Sequence, residues 1–255
     1  MCLFMKVLVA LKHVVDPYVR IRIKSDESNV DLTGLKHSIN PFCEIAVEEA
    51  VKMKEKGDVS EIVTVSIGGQ SIQESLRKSL AMGADRSVHI QTDEPIEPLS
   101  VAKILAKIID EEKPDAVMLG KQSIDGDNNQ TPQMLAALLG WSQATFASKI
   151  FKEGDSVLVE REVDAGEETL KVSLPCIIST DLRLNEPRNV TLPNLMKAKQ
   201  KPIDVKSIDD LGVDITARTK LLKVTEPAKR ASGIRVSSVD ELVEKLKNEA
   251  KVVAS

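Results

Sequence analysis

Short aliphatic runs alternate with amphipathic segments along the first two-thirds of this 255-residue chain, and this alternation constrains the fold most strongly. Aliphatic residues dominate the runs at positions 6–12, 61–67, 86–90 and 115–120. Such short apolar runs are typical of strands buried on both faces of a parallel sheet. Segments with helical periodicity come between or after them, at positions 40–57, 71–83, 98–113 and 132–140. This order predicts an α/β fold, in which a parallel sheet has helices on both faces.

Local signals mark the starts of two helices and add one strand. Asn40 is the predicted N-cap of the first helix, and Pro41 occupies its first position, where the missing N–H group is tolerated. Ser71 and Glu74 have the spacing of a capping box at the start of the second helix. The alternating residues 20–23 predict a short edge strand.

The last third of the chain has a different pattern. Residues 156–163 and 169–182 flank the turn sequence "DAGEE" and predict a β-hairpin. A capping box of Ser238 and Glu241 predicts a closing amphipathic helix at 238–250. The residues between the hairpin and this helix are rich in Pro, Asn and Lys and lack a long apolar face. We therefore expect them to be extended and to lie against a partner chain.

Composition argues against several classes of protein. Aromatic residues make up 2% of the chain and the net charge is -4, which disfavours a stacking platform for nucleic acid. Cys2, Cys43 and Cys176 are far apart and form no CxxC motif, so we expect neither a zinc site nor a disulfide framework. No apolar run approaches the roughly 18 residues of a membrane span, and no Arg-rich transit peptide is visible. A reducing compartment fits best, either a bacterial cytoplasm or, as the alternative, the mitochondrial matrix.

The stretch "GKQSIDGDNNQTP" (residues 120–132) follows a predicted strand and leads into a predicted helix. Ligands of parallel sheets bind at the carboxyl ends of the strands, and N–H groups at a helix start attract anions. The carboxylate, amide and hydroxyl side chains of this loop could also hold a ribose, a phosphate or the edge of a base. The loop lacks the spacings of a P-loop and of a GxGxxG motif. From the residues alone, nucleotide binding and a merely polar connection both stay open.

A second stretch, "HSINPFCEIAVEEA" (residues 37–50), has a structural and a functional interpretation. Asn40 as a helix cap accounts for most of the pattern. Cys43, one turn into the helix, would have a lowered pKa if it were a catalytic thiol. His13 and His37 are expected to be structural rather than ligands.

A third stretch, "NVTLPNLMKAKQK" (residues 189–201), places Leu192, Leu195 and Met196 among Pro, Asn and Lys. A surface loop with a short helix would account for this composition. Exposed Leu and Met beside a basic cluster also recur at adaptable interfaces. A surface loop and a docking element therefore both stay open.

Six ordered stretches resemble the β-subunit family of electron transfer flavoproteins, and the resemblance extends over almost the whole chain. They read "VLVALKHVVD", "LKHSINPFCEIAVEEAV", "SLAMGADRSVHI", "LGKQSIDGDNNQT", "VEREVDAGEETLKVSLP" and "TDLRLNEPRNVTLPNLMKAKQK". The resemblance implies an electron-carrier subunit rather than an enzyme. It implies a heterodimer in which the α subunit holds most of a redox-active FAD and the β subunit buries a structural AMP. Such a heterodimer accepts electrons from acyl-CoA and related dehydrogenases and passes them to a membrane quinone oxidoreductase, without itself being embedded in the membrane.

The resemblance also implies which residues contact AMP. They lie at predicted strand ends and helix starts, where a parallel sheet is expected to bind its ligand. The implied contacts are Ala10, Asn40, Pro41, Phe42, Cys43, Ile67, Gly120, Lys121, Gln122, Ser123, Ile124, Asp125, Gly126, Asp127, Asn128, Asn129, Gln130 and Thr131.

A dehydrogenase-docking segment is implied at residues 188–199, with Leu192 as the anchor that enters a hydrophobic pocket of the partner. Gln200 stands where family members can have lysine. The implied division is an α/β nucleotide-binding domain with an appended hairpin at 1–185, and a recognition loop with a C-terminal arm on the α subunit at 186–255. The implied docking residues are Arg188, Leu192, Pro193, Asn194, Leu195, Met196, Lys197 and Lys199.

Three further residues are implied to act near the flavin. Glu162 would restrain the mobile flavin domain of the α subunit. Tyr18 and Phe42 are the candidate aromatic residues near the flavin edge. This chain has "DPY" where a relative has "DYA", which moves the tyrosine one place along the chain.

One branch of the family binds a second FAD in place of AMP and bifurcates electrons. Its loop resembles "IDGDTAQVGP", whereas this chain reads "IDGDNNQTP" at 124–132, and "NNQT" resembles the "CNQT" of AMP-binding members. Thr131 stands where the other branch has valine. The loop therefore favours AMP, with the second FAD as the alternative. A free-standing nucleotide-binding regulator is a further alternative, against which the extended C-terminal third argues.

Overall fold

The computed structural model describes residues 5–230 and 232–253, which form two compact units. The first unit comprises the described residues of 1–22 together with 32–220, and the second comprises 23–31 and those of 221–255. The helices are α1 (Pro41–Glu55), α2 (Gln73–Met82), α3 (Pro98–Glu112), α4 (Thr131–Leu139), α5 (Leu192–Ala198) and α6 (Val239–Asn248). The strands are β1 (Met5–Leu11), β2 (His13–Val15), β3 (Arg22–Ile23), β4 (Val30–Asp31), β5 (His37–Ile39), β6 (Val59–Gly68), β7 (Arg86–Gln91), β8 (Ala116–Gly120), β9 (Ser142–Glu153), β10 (Ser156–Val163), β11 (Gly166–Ser173), β12 (Cys176–Thr180) and β13 (Ile203–Ser207).

A nine-stranded sheet organises the described part of the first unit. Its strand order is β11-β10-β9-β12-β8-β1-β6-β7-β13. Neighbouring strands run parallel from β9 through to β13, whereas β9, β10 and β11 pair antiparallel. The predicted fold class, a parallel α/β sheet with an appended hairpin and a helix at the C-terminal end, is therefore confirmed.

The core lies on both faces of this sheet. Val7 and Val9 belong to the buried cluster under α1 and α2, whereas Leu8 belongs to the cluster under α3 and α4. Successive side chains of a strand point to opposite faces, so the continuous apolar run of β1 serves both layers. This double burial leaves the ends of the strands as the places where the sheet meets solvent.

The predicted helix starts have mixed outcomes. Asn40 is the N-cap residue of α1, but its side chain does not bond to the helix N–H groups. The prediction of a capping box at Ser71 and Glu74 is wrong. Ser71 lies in a 3₁₀ turn at Gln70–Ile72, and α2 begins only at Gln73. The Ser238 hydroxyl caps α6 by accepting from the N–H of Glu241 at 3.2 Å.

The prediction that 169–182 is one arm of a hairpin is wrong. The hairpin partner of β10 is β11, which ends at Ser173. Pro175, which has no N–H to donate, precedes β12. Strand β12 is buried at all five positions and returns into the sheet between β8 and β9. The expected edge strand at 20–23 is reduced to Arg22–Ile23.

The second unit has little buried apolar surface in its described residues. The N–H of Val224 donates to the carbonyl of Glu27 at 2.9 Å, and Lys223 pairs with the Glu27 carboxylate. On α6, Val239, Leu242 and Val243 are exposed. Over the described residues, no helix combines the length and apolarity required to cross a membrane.

Candidate functional site

A cavity of about 250 Å³ opens at the carboxyl ends of β1, β6 and β8. Parallel strands align their carboxyl ends at one edge of the sheet, which is where such folds bind ligands. The predicted contact residues on its wall are Ala10, Asn40, Cys43, Ile67, Gly120, Lys121, Gln122, Ser123, Asn128, Asn129, Gln130 and Thr131.

The other predicted contact residues do not line this cavity. Pro41 and Phe42 lie in the first turn of α1, and Phe42 is buried. The remainder, Ile124, Asp125, Gly126 and Asp127, form the outer part of the loop.

Sequence reasoning missed one side of the cavity. The start of α3 and the residues before it lie on the wall, although this helix showed only an ordinary amphipathic pattern. Pro98 at the first position of α3 was the available signal, because it marks a helix start just after a strand end. The missed wall residues are Leu11, Lys12, Val65, Ser66, Gly68, Glu94, Ile96, Pro98, Val101, Leu105, Leu119 and Pro132.

Asn40 joins α1 to the polar loop. Its Nδ2 donates to the carbonyl of Gln122 at 2.8 Å, and its Oδ1 accepts from the N–H of Ile124 at 3.1 Å. The side chain is fully buried, so its bonds are shielded from water. Asn40 therefore shapes the cavity wall by holding the loop, while the helix start is left uncapped by its side chain.

Gly120 is required where β8 meets α1. A Cβ atom at this position would lie 2.7 Å from Cβ of Phe42 and 2.8 Å from the backbone N of Cys43. Since atoms at these distances overlap, only glycine lets the strand end approach the first turn of α1 this closely.

The loop after Gly120 has a defined backbone conformation. Asp127 and Asn129 have φ values of 53° and 49°, in the left-handed region that Asp and Asn tolerate better than other non-glycine residues. Lys12 Nζ lies 2.8 Å from Asp125 Oδ1 and 3.2 Å from Ser123 Oγ. Burial acts to raise the pKa of Asp125, but the hydrogen bonds from Lys12 and Ser123 outweigh it and the pKa is lowered.

The start of α4 lies on the cavity wall. Gln130 is its N-cap residue and makes no side-chain capping bond, while Thr131 and Pro132 also line the cavity. The first N–H groups of a helix have no partner within the helix and carry the positive end of its dipole. This side of the cavity is suited to a negatively charged ligand group.

Cys43 does not have the properties of a reactive thiol. Its side chain is 6% exposed, and burial raises its pKa above the ordinary value despite hydrogen bonds such as that from Asn40. The interpretation of Cys43 as a catalytic thiol, which would need a lowered pKa, is therefore wrong. His13 stacks on His37 with ring centroids 4.9 Å apart and bonds Ser75 Oγ at 2.8 Å, in keeping with structural roles.

The three residues implied to act near the flavin do not line the cavity. Phe42 is beside it, because the Nζ atom of the wall residue Lys121 lies 5.2 Å from the centroid of the Phe42 ring. Glu162, at the end of β10, pairs with Arg183. Tyr18 is 95% exposed.

The predicted docking residues lie mainly on α5. The side chains of Leu192, Leu195 and Met196 are exposed, as are those of Pro193, Asn194, Lys197 and Lys199. Arg188 differs, because its guanidinium pairs with Glu48 and Glu55 of α1.

Comparison with known proteins decides the family. Residues 29–211, more than half of the chain, match the family model described as "Electron transfer flavoprotein domain". The chain belongs to the electron transfer flavoprotein family. The resemblance stated from the sequence stretches is therefore confirmed, as is the expectation of an electron carrier rather than an enzyme.

Relatives match the chain over nearly its whole length. It is 58% identical over 249 residues to "Electron transfer flavoprotein subunit beta" of Bradyrhizobium diazoefficiens, covering 98% of this chain and 100% of the relative. It is 56% identical over 251 residues to the Arabidopsis thaliana protein named as the mitochondrial β subunit, covering 98% and 100%. The β subunit of Homo sapiens is 51% identical over 252 residues, covering 97% and 99%.

Proposed function

We propose that this chain is the β subunit of a heterodimeric electron carrier and that its cavity holds a structural AMP. The observation that carries the proposal is the cavity at the carboxyl edge of the sheet, with the start of α4 on its wall. The proposal is also supported by the membership of the chain in the electron transfer flavoprotein family. FAD, held mostly by the α subunit, would supply the redox chemistry.

The two sides of the cavity suit the two ends of a mononucleotide. An apolar side, to which Ile67, Ile96 and Leu105 contribute, suits an adenine base. The wall also has Asn129, Thr131 and the start of α4, which suit a ribose and a phosphate. Residues of this chain would thus bind and orient the nucleotide without any catalytic group.

The loop favours AMP over a second FAD. Asn128, Asn129 and Thr131 contribute polar side chains to the wall where a bifurcating member would need room for a flavin. The cavity volume of about 250 Å³ lies just below the roughly 300–1,000 Å³ typical of ligand pockets, which suits a mononucleotide better than a dinucleotide.

Counting released nucleotides tests this assignment. The chain is produced together with its α subunit, the heterodimer is denatured, and the released nucleotides are separated and quantified. We expect one FAD and one AMP per heterodimer. Two FAD molecules and no AMP would refute the AMP assignment and support the bifurcating alternative.

We also propose that α5 docks acyl-CoA and related dehydrogenases, with Leu192 as the anchor. The support is its exposure of 72%, next to Leu195 and Met196, which are also exposed. Clustered exposed apolar side chains are typical of interaction sites. The reduced carrier would then deliver its electrons to a membrane quinone oxidoreductase.

Leu192→Ala tests the docking assignment. We expect the KM of an acyl-CoA dehydrogenase for the heterodimer to rise about tenfold or more, in the range of interface anchors, with the flavin spectrum unchanged. Leu182→Ala is the matched control, since Leu182 is 49% exposed and lies outside α5. An unchanged KM for Leu192→Ala would mean that this residue is not the anchor.

Assembly with an α subunit is the part of the proposal that separates it from a free-standing regulator. The exposed apolar residues of α6 and its neighbourhood, among them Leu222, Ile234 and Val239, suit a C-terminal arm that packs on the partner. Size-exclusion chromatography of this chain with and without the α subunit should show a stable heterodimer. A chain that remains monomeric in the presence of the α subunit would favour the regulator. A bacterial cytoplasm or a mitochondrial matrix suits such a carrier.

A further inference from the structure

The docking helix α5 buries little of its own apolar surface. It has seven residues, and only Ala198 among them is buried. Isolated helices shorter than roughly 12 residues are marginal in water. Since Leu192, Leu195 and Met196 are exposed, something other than their packing must fix the helix.

The chain just before α5 is tied to α1 by ionic and polar contacts. Arg188 Nε donates to Glu48 Oε2 at 2.9 Å, and its Nη1 donates to Glu55 Oε1 at 2.6 Å. Glu48 is 2% exposed, so its carboxylate depends on this partner. Asn185 Nδ2 adds bonds to the carbonyl of Ile45 at 3.1 Å and to Glu49 Oε2 at 2.9 Å.

The end of α5 is tied to α2. Arg77 Nη1 donates to the carbonyl of Ala198 at 2.8 Å and to that of Lys201 at 2.6 Å. The last carbonyls of a helix have no partner within the helix, and a cation there also meets the negative end of the dipole. Lys201 Nζ in turn donates to the carbonyls of Leu80 at 3.1 Å and Ala84 at 2.5 Å.

We propose that Arg77 and Arg188 are positioning residues that hold α5 between α2 and α1, so that Leu192 is presented in one orientation to the dehydrogenase. The proposal rests on the docking function proposed above for α5. Each arginine acts on the backbone or on the flanking chain and leaves the apolar side chains free. Fixing the helix before the encounter removes part of the ordering cost of binding, which lowers the KM without changing the redox step.

The test uses the assembled heterodimer with three variants: Arg77→Gln, Arg188→Gln combined with Glu48→Gln, and the conservative Arg77→Lys. The double variant leaves no unpaired buried carboxylate at Glu48. Lys171→Gln is the matched control, because it removes an ion pair between Lys171 of β11 and Glu153 of β9, outside the docking segment. Heterodimer assembly and the flavin absorption spectrum are checked for each protein.

Two measurements separate positioning from general stability. Amide hydrogen exchange at 192–199 should accelerate about tenfold or more in Arg77→Gln and in the double variant, because bonds to charged groups are lost. The KM of acyl-CoA dehydrogenase for the heterodimer should rise several-fold with kcat unchanged. Arg77→Lys should restore part of both effects, and Lys171→Gln should show neither.

The outcomes distinguish failure of this proposal from failure of the docking assignment. Unchanged exchange at 192–199 would overturn the positioning roles. Faster exchange with an unchanged KM, while Leu192→Ala raises the KM, would also overturn them. If Leu192→Ala itself leaves the KM unchanged, the docking assignment fails, and with it the proposed role in docking, whereas the exchange data still decide whether the arginines hold α5.

Discussion

The two edges of the parallel sheet are built in opposite ways. At the amino edge, Lys6 lies 2.8 Å from Glu112 and 3.5 Å from Glu61, and Arg86 pairs with the same two carboxylates. These two positive and two negative side chains, from β1, β6, β7 and α3, therefore neutralise one another at that edge. At the carboxyl edge a cavity is open, its polar loop is held by the buried Asn40, and the N-cap residue of α4 makes no side-chain capping bond. One sheet thus has one edge held by ion pairs and one edge that opens into a cavity.

The largest expected effect is that of a side chain at Gly120. Gly120→Val should destabilise the protein by about 3 kcal/mol, because the new Cβ would overlap Phe42 and the backbone of Cys43. It should also abolish nucleotide retention, since the first turn of α1 must move away from the loop. Urea unfolding measures the change in stability, and the count of released nucleotides measures the retention. Gly233→Ala is the control, because a Cβ there meets no atom within 4 Å. Equal stability of the two variants would contradict the packing argument.

Asn40→Ala should have the next largest effect. It leaves the carbonyl of Gln122 and the N–H of Ile124 without their partner, at a cost of about 2 kcal/mol. Nucleotide should be lost more readily on gel filtration, while the KM for the dehydrogenase should be unchanged. Asn29→Ala, at an exposed position outside the cavity wall and the docking segment, serves as the control. A variant that keeps its nucleotide as firmly as the unmodified protein would show that Asn40 does not hold the loop.

Glu112→Gln tests the amino edge through its pH dependence. Hydrogen bonds from Arg86, and then from Lys6, lower the pKa of Glu112 from its ordinary 4.5 to about 2 despite opposing burial. The stabilisation is therefore present above pH 4.5 and is lost as the pH falls towards 2. Glu112→Gln should cost about 1 kcal/mol at neutral pH and should flatten the fall in Tm between these limits. Glu111→Gln, which removes only an exposed pair with Lys206, should leave the pH profile unchanged. Nucleotide content should not change in either variant.

The smallest effect concerns two buried cysteines, one at each edge. Burial raises the pKa of Cys43, and it raises that of Cys176 to about 12, so both thiols should resist alkylation at neutral pH. Cys43 lines the cavity and Cys176 does not, so in the nucleotide-free protein any slow labelling should occur at Cys43 rather than at Cys176. Mass spectrometry after iodoacetamide treatment measures each site. Equal labelling of both cysteines would mean that the cavity does not control access to Cys43.

Periodicity predicted the layered α/β fold because double burial of β1, β6 and β8 leaves a clear aliphatic signal. The loop at 120–132 was predicted to lie at a strand end for the same reason. The placement of β12 was not predictable, because a short buried run has the same pattern whether it extends a hairpin or enters a parallel sheet. Strand order depends on contacts between residues far apart in sequence.

The chemistry of individual side chains was harder to predict than their location. Asn40 was predicted at its helix start, but its bonds go to a loop that lies far along the chain. For Cys43, the helix start suggested a lowered pKa, yet desolvation is the larger contribution. Arg188 was predicted to be a docking residue, whereas its guanidinium forms ion pairs with Glu48 and Glu55 of α1. In each case the decisive partner is remote in sequence.

The interior position of β12 has a consequence for folding. During synthesis, β8 leaves the ribosome well before Cys176, so one side of β8 is an unpaired edge until β12 arrives to pair with both β8 and β9. Unpaired apolar edges favour association with other chains, and contacts between distant residues slow folding. The hairpin of β10 and β11 can form from local contacts alone, and it lies directly before the strand that closes the sheet. Pairing at the interior of the sheet must therefore wait for β12, and until then the open side of β8 is a site where nascent chains could associate.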